Sequence, residues 1–132
     1  MAFKLKIITP NGLYLKEDID SLNIKAVDGY LTILPSHFPL ITMLDIAPMH
    51  IKIDNTEKVY AIAGGVLNVR KRETIILTNA IESPEEIDRE RAENAKNRAE
   101  QRLKNKNNKD IDILRAESAL KRAITRLSIL DK

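Results

Sequence analysis

A six-residue pattern occurs twice in this sequence, as Ile87-Asp88-Arg89-Glu90-Arg91-Ala92 and as Ile111-Asp112-Ile113-Leu114-Arg115-Ala116. Each copy sets a carboxylate three residues ahead of a guanidinium, flanked by Ile and Ala. Local helix chemistry accounts for the spacing: Asp favours the positive end of a helix and pairs with Arg three residues on, while Ile and Ala face inward. Charge is concentrated again in residues 113–126, where Arg115, Lys121, Arg122 and Arg126 stand against Glu117 alone. A locally basic helix suits a solvated face, an acidic protein surface or a phosphate-bearing ligand. A third segment, Asp28-Gly29-Tyr30-Leu31-Thr32-Ile33-Leu34-Pro35-Ser36-His37-Phe38-Pro39-Leu40, reads as a hairpin and a proline-fixed corner, across which Asp28 and His37 could approach.

These residues do not make an enzyme. Two histidines and no cysteine give no metal set. The phosphate-binding, dinucleotide-binding and nucleophile-elbow glycine patterns are all missing. No catalytic residue, metal or required cofactor is expected. Nucleic acid is an equally poor partner, because the helical part has no aromatic for base stacking and its acids nearly balance its bases. Without cysteine there are no disulfides, which fits a cytoplasmic setting. No apolar run reaches the ~18 residues of a membrane span, and the N-terminus lacks the apolar stretch of a signal peptide.

The elements that must hold these residues divide at Ser83-Pro84. All four glycines, all aromatics and both histidines precede that point, and no glycine, proline or aromatic follows Pro84. Residues 1–82 alternate with period two, as in Phe3/Leu5/Ile7, Leu22/Ile24/Ala26 and Ile51/Ile53, with turns at Asn11-Gly12, Asp28-Gly29 and Asp54-Asn55. This predicts an antiparallel β-sandwich or flattened barrel. Gly64-Gly65, inside a strand pattern, marks a bulge or a close backbone approach. Residues 83–132 predict a helical hairpin. Ser83, Pro84 and Glu86 spell a helix start, and the first helix runs to about Leu103 with Ala92, Ala95 and Ala99 as its stripe. After a polar turn over residues 105–109, Asp110 caps a second helix with the seam Ile113, Ala116, Leu120, Ala123, Leu127 and Leu130. Residues 1–82 carry no net charge, so the excess of +3 sits on the hairpin.

Four features in order make the chain resemble the epsilon subunits of F-type ATP synthases over essentially its whole length. They are Ile8-Thr9-Pro10-Asn11-Gly12, then Gly29 with Ile33-Leu34-Pro35-Ser36-His37-Phe38-Pro39-Leu40, then Gly64-Gly65-Val66-Leu67-Asn68-Val69, and last Arg115-Ala116-Glu117-Ser118-Ala119-Leu120-Lys121-Arg122-Ala123 with Arg126-Leu127. The resemblance implies an α+β chain. Its parts are a ten-stranded sandwich over 1–82, which binds the gamma subunit and rests on the c-ring, and a regulatory two-helix hairpin over 83–132. In the family the hairpin folds down on the sandwich or extends into the alpha/beta catalytic head, where it opposes ATP hydrolysis. The resemblance implies that Arg115, Lys121, Arg122 and Arg126 face an acidic loop of the beta subunits. It implies that Asp28, Gly29, Tyr30 and His37 face the c-ring. Here Tyr30 and Thr32 stand where Glu and Gly are usual, and Val66 and Asn68 where Phe and Glu are usual.

Some members of the family bind ATP through an Ile/Leu-Asp-x-x-Arg-Ala motif, matched here by Ile87, Asp88, Arg91 and Ala92, with Glu82, Arg98, Arg122 and Arg126 at the surrounding positions. Carboxylates accept from an adenine amine or a ribose hydroxyl, and guanidiniums clamp phosphate. ATP is therefore the expected regulatory ligand. The implied location is peripheral, on the cytoplasmic face of a bacterial plasma membrane, with membrane association only through the complex. A free-standing adaptor or nucleotide-sensing module is the other reading of the same residues.

Overall fold

The computed structural model describes residues 2–105 and 110–131, apart from the side chains of residues 110–112. The expected cap at Asp110, the turn after Asn105 and the first two residues of the second hexapeptide lie outside the described side chains. Eight strands come first: β1 (Phe3–Thr9), β2 (Gly12–Ile19), β3 (Ser21–Ala26), β4 (Gly29–Ile33), β5 (Leu40–Ile53), β6 (Thr56–Val69), β7 (Glu73–Leu77) and β8 (Ile81–Glu82). A single 3-10 turn at Pro84–Glu86 leads to helices α1 (Arg89–Lys104) and α2 (Asp110–Leu130). The strands hydrogen-bond in the order β2-β1-β7-β6-β5-β3-β4, with β8 on β6.

Among the described residues the strand count is eight rather than ten, because β5 and β6 each run unbroken for 14 residues. Both belong to two layers. In β6, Ala61 and Ile62 pair with β8, whereas Val66–Val69 pair with β7. The buried positions of β6 pass from Tyr60 and Ile62 to Leu67 and Val69, so the alternation changes phase around Gly64-Gly65. In β5 it changes phase between Leu44 and Ala47. Strands that cross between layers do so at such bends, and dividing both at the bend recovers the expected ten segments. Inward side chains from both layers, among them Leu5, Ile7, Leu22, Ile24, Ile33, Met49, Ile51, Ile62, Leu67 and Ile76, form one core. The pairing is antiparallel except for β1 with β7, which is parallel.

The predicted close approach at the glycine pair is present. Gly64 and Gly65 have φ of 77° and 132°, and a Cβ on Gly65 would stand 2.1 Å from the Leu77 carbonyl oxygen. The buried Thr78 hydroxyl donates to the Gly64 carbonyl at 2.6 Å, fastening the bend. The turns expected at Asn11-Gly12, Asp28-Gly29 and Asp54-Asn55 are also present, with positive φ at Gly12, Gly29, Asp54 and Asn55.

The start of α1 differs from expectation. Glu86 does reach back to the Ser83 N–H, at 2.9 Å, but this box closes only one 3-10 turn. Ile87 is extended (φ −92°, ψ 129°), and Asp88 becomes the true cap by accepting from the Arg91 N–H at 3.1 Å. The helix begins at Arg89 rather than Pro84, so Ile87 and Asp88 precede it instead of filling its first turn. Ala92 and Ala99 are buried as expected. On α2, Ala116 and Ala123 of the expected seam are buried, but so are Thr125 and Ile129. A single-seam pattern omits these two because α2 has two neighbours, α1 on one side and strands β5 and β6 on the other.

Replacing Gly65 with Ala forces a side chain into a left-handed backbone and against the Leu77 carbonyl. We expect Gly65→Ala to destabilise the sandwich by about 2–4 kcal/mol, read as a lower urea midpoint, whereas Gly29→Ala, with open space around it, carries only the backbone cost.

Candidate functional site

The chain turns sharply at Ser83–Asp88, and the turn, the first half of α1 and Arg126 near the end of α2 line an open cavity of about 490 Å³. Its lining includes Glu82, Ile87, Asp88, Arg91, Ala92, Arg98 and Arg126. Seven of the eight residues singled out in the sequence for one ligand therefore converge on one cavity. The eighth, Arg122, is next door, where a crevice of about 10 Å³ joins it to Glu82 and Arg126. Glu86, Asn94 and Ala95 complete the lining. Of these, Glu86 is a residue to which the sequence assigns only a capping role.

The cavity is electrostatically mixed, with three guanidiniums facing three carboxylates. Glu82 accepts from Arg126 Nε at 2.6 Å, across 44 residues of chain. The Asp88 cap uses one carboxylate oxygen, and a carboxylate has two. Arg91 and Arg98 are exposed. An occupant that suits this lining offers acceptors to Arg and donors to Asp or Glu, on an apolar floor of Ile87, Ala92 and Ala95.

The basic residues of α2 divide into two sets. Lys121 Nζ is 3.6 Å from Asp45 on β5, and Asp45 also takes Lys25 at 3.6 Å. With Arg126 on Glu82, two of the four cations are held by the sandwich's own carboxylates. Arg115 and Arg122 instead line an open groove of about 530 Å³ with Arg102, Leu114, Ser118 and Ala119. The hairpin is closed at its other end by Arg89 and Asp131, 3.0 Å apart.

Asp28 and Gly29 form the β3–β4 turn, and Tyr30 beside them is 61% exposed, with Lys25 Nζ 5.8 Å above its ring. His37 Nδ1 lies 2.8 Å from the Phe38 carbonyl, and among the described residues it makes no hydrogen bond with Asp28. Phe38 is 83% exposed beside it. On the other layer the register lines up Met43, Val66, Leu77, Ile8 and Leu13 across five strands. Neighbours in register share a face, so this is an apolar row, with Met43, Leu77 and Leu13 at least half exposed or nearly so. The sequence could not show it, since each strand contributes a single residue. Among the described residues no group of His, Asp or Glu could hold a metal ion, and no helix is long and apolar enough to cross a membrane.

A two-layer β domain followed by a docked helical hairpin is an architecture with known relatives. The family model described as ATP synthase delta/epsilon chain, beta-sandwich domain, matches residues 2–84, and the model for the long alpha-helix domain of the same chain matches residues 85–131. The ATP synthase epsilon chain of Bacillus licheniformis is 44% identical over 97% of this chain and 97% of its own. That of Clostridium novyi is 41% identical over 98% of each. Among solved structures, a chain of the Euglena gracilis mitochondrial ATP synthase superposes with a TM-score of 0.85 at 20% identity, covering 98% of this chain and 81% of that one. The chain belongs to the ATP synthase epsilon-chain family.

Asp45 gives a pH test of hairpin docking. Burial raises its pKa, but the Ile46 N–H and then the Lys121 and Lys25 ammoniums outweigh burial and hold it below its ordinary 3.8. A depressed carboxylate stabilises the folded state above its unfolded pKa and loses that contribution as pH falls through the folded value. The melting difference between wild type and Asp45→Asn is therefore flat above about pH 5 and shrinks towards zero below 3.8. The pair is partly exposed, so its size is at most about 1 kcal/mol.

Proposed function

We propose that this chain is a non-catalytic central-stalk subunit of an F-type ATP synthase. Its sandwich joins the gamma subunit and the c-ring, and its hairpin opposes ATP hydrolysis when extended into the alpha/beta head. The folded hairpin binds ATP as a regulatory ligand, without any cofactor, and the chain sits peripherally at the membrane as part of the complex. The observation that carries the nucleotide part is the convergence of Glu82, Ile87, Asp88, Arg91, Ala92, Arg98 and Arg126 on one cavity. Asp88 and Glu82 suit a base amine or ribose hydroxyl, the apolar floor suits a base, and the guanidiniums suit phosphates.

The rotor part is supported by the exposed apolar row on the sandwich. A row of Met43, Val66, Leu77, Ile8 and Leu13 in water is unusual for an isolated domain and suits burial against another protein. Tyr30 replaces a carboxylate with a ring on the side that faces the c-ring in the family, so an aromatic contact takes the place of a charged one there. The inhibitory part is supported by the portable character of the hairpin. Its α1 buries chiefly alanines, and Lys121 and Arg126 are paired with carboxylates on the sandwich. An acidic loop on a partner offers the same chemistry elsewhere, so the helix exchanges like contacts for like.

Two measurements test this reading. ATP at a hundredfold excess over its Kd stabilises whatever it binds by about 2.7 kcal/mol, so the melting temperature of the full chain rises with ATP. Asp88→Ala and Arg91→Ala remove that rise and leave the sandwich folded; a melting curve indifferent to millimolar ATP refutes the nucleotide part. In a reconstituted catalytic head, a chain ending at Glu82 still assembles and gives faster hydrolysis than the full chain. Equal rates refute the inhibitory role, and loss of assembly refutes the division of labour.

A further inference from the structure

One wall of the nucleotide cavity is tied to the sandwich. Glu86 lines the cavity, and its Oε1 accepts from two donors, the Ser83 N–H at 2.9 Å and the Tyr14 hydroxyl. Tyr14 belongs to β2 and lies 72 residues away in sequence. Its ring meets that of Tyr60 edge to face, with centroids 6.2 Å apart and planes at 84°. Tyr60 is itself a member of the sandwich core, 7% exposed. An unbroken series thus runs from the core through Tyr60 and Tyr14 to Glu86 and the cavity. Among the described residues, the Tyr14–Glu86 bond is the only side-chain hydrogen bond between the strands and residues 84–88. A group that fixes Glu86 also fixes the next two residues of the chain, the extended Ile87 and the capping Asp88.

We propose that Tyr14 is a positioning residue of the nucleotide cavity: by holding Glu86 it pins the Pro84–Glu86 turn to the sandwich, and the turn presents Ile87 and Asp88 to the ligand. The inference rests on the nucleotide reading above. It makes the binding site a joint product of two parts of the chain, with a strand residue governing affinity without touching the ligand. The protonation states agree with this role. The Tyr14 hydroxyl and then the Ser83 N–H hold the Glu86 carboxyl below its ordinary value, keeping it an acceptor, while burial and the bond to Glu86 push the Tyr14 hydroxyl upward and keep it a donor. The other charged groups on the cavity around Glu86 are Glu82, Asp88, Arg91, Arg98 and Arg126.

The test compares the full-length wild type with Tyr14→Phe, which keeps the ring on Tyr60 and removes only the hydroxyl. ATP affinity is measured by titration, amide exchange is followed at Glu86 and Ile87 without ATP, and the Glu86 carboxyl of wild type and Tyr14→Phe is titrated by carbon NMR. Losing one such hydrogen bond weakens ATP binding by about two- to tenfold in Tyr14→Phe. Exchange at Glu86 and Ile87 speeds up, and the Glu86 carboxyl titrates at higher pH. A purely structural Tyr14 would lower the melting temperature and shift the Glu86 titration while leaving ATP affinity unmoved, which overturns the proposal. Equal ATP affinity in wild type and Tyr14→Phe overturns it too and leaves the nucleotide reading intact. A wild type that does not bind ATP overturns the nucleotide reading itself, and that result is visible before any substitution is compared.

Discussion

The contact between the Gly65 backbone and the Leu77 carbonyl is the constraint on which the rest of the molecule depends. A side chain at Gly65 would occupy the space of that carbonyl, so only glycine lets β6 bend while keeping β7 in register. The bend gives one pair of long strands to both layers, and the two layers together enclose the core. It also sets the outer surface near Ala61, Ala63 and Ala80, a shallow strip against which Thr125 and Arg126 of α2 lie. The alanines of the strip let the helix approach without a deep apolar seat. The docking of the hairpin is thus a consequence of how the sheet is folded, several residues before the hairpin begins.

That seat leaves the helices held by a modest apolar area and a few charged contacts. Partly exposed ion pairs contribute little each, and alanine methyls only about 0.8 kcal/mol apiece, against an ordering cost on the order of 1 kcal/mol per residue. An element with such a balance responds to small differential energies, of the size that a bound nucleotide or a protein surface supplies. Charge exchange fits this scale. The sandwich's Asp45 and Glu82 pair with Lys121 and Arg126 while the hairpin is folded; in the extended state proposed above Glu82 loses Arg126, whereas Asp45 keeps Lys25.

Much of this is legible in the residues. Alternation places Leu22, Ile24 and Ala26 inward, and the glycine pair announces a backbone contact, because both signals are local. The hexapeptide and its neighbours name seven of the residues that the folded chain gathers on one cavity, through resemblance more than through spacing. Local rules fail where a residue serves a distant partner. Glu86 looks like a helix cap, yet it also binds Tyr14 from β2, and the helix waits until Asp88. Thr125 and Ile129 look exposed in a one-seam helix, yet both are buried, Thr125 beside Ala61 and Ala63 of the sheet. The apolar row over Met43, Val66, Leu77, Ile8 and Leu13 needs the register of five strands, which no single segment contains.

The parallel pairing of β1 with β7 has a bearing on how the chain is made. Lys4 lies beside Glu73 and Ile8 beside Leu77, so the first strand synthesised finds one of its two neighbours only after nearly the whole sandwich has been translated. Contacts this far apart in sequence are slow to form, and β2, its hairpin partner, is the only support β1 has in the interval. The sheet is therefore complete only once β7 lies between β1 and β6. The hairpin follows β7 in the chain, so the platform it docks on precedes it in sequence.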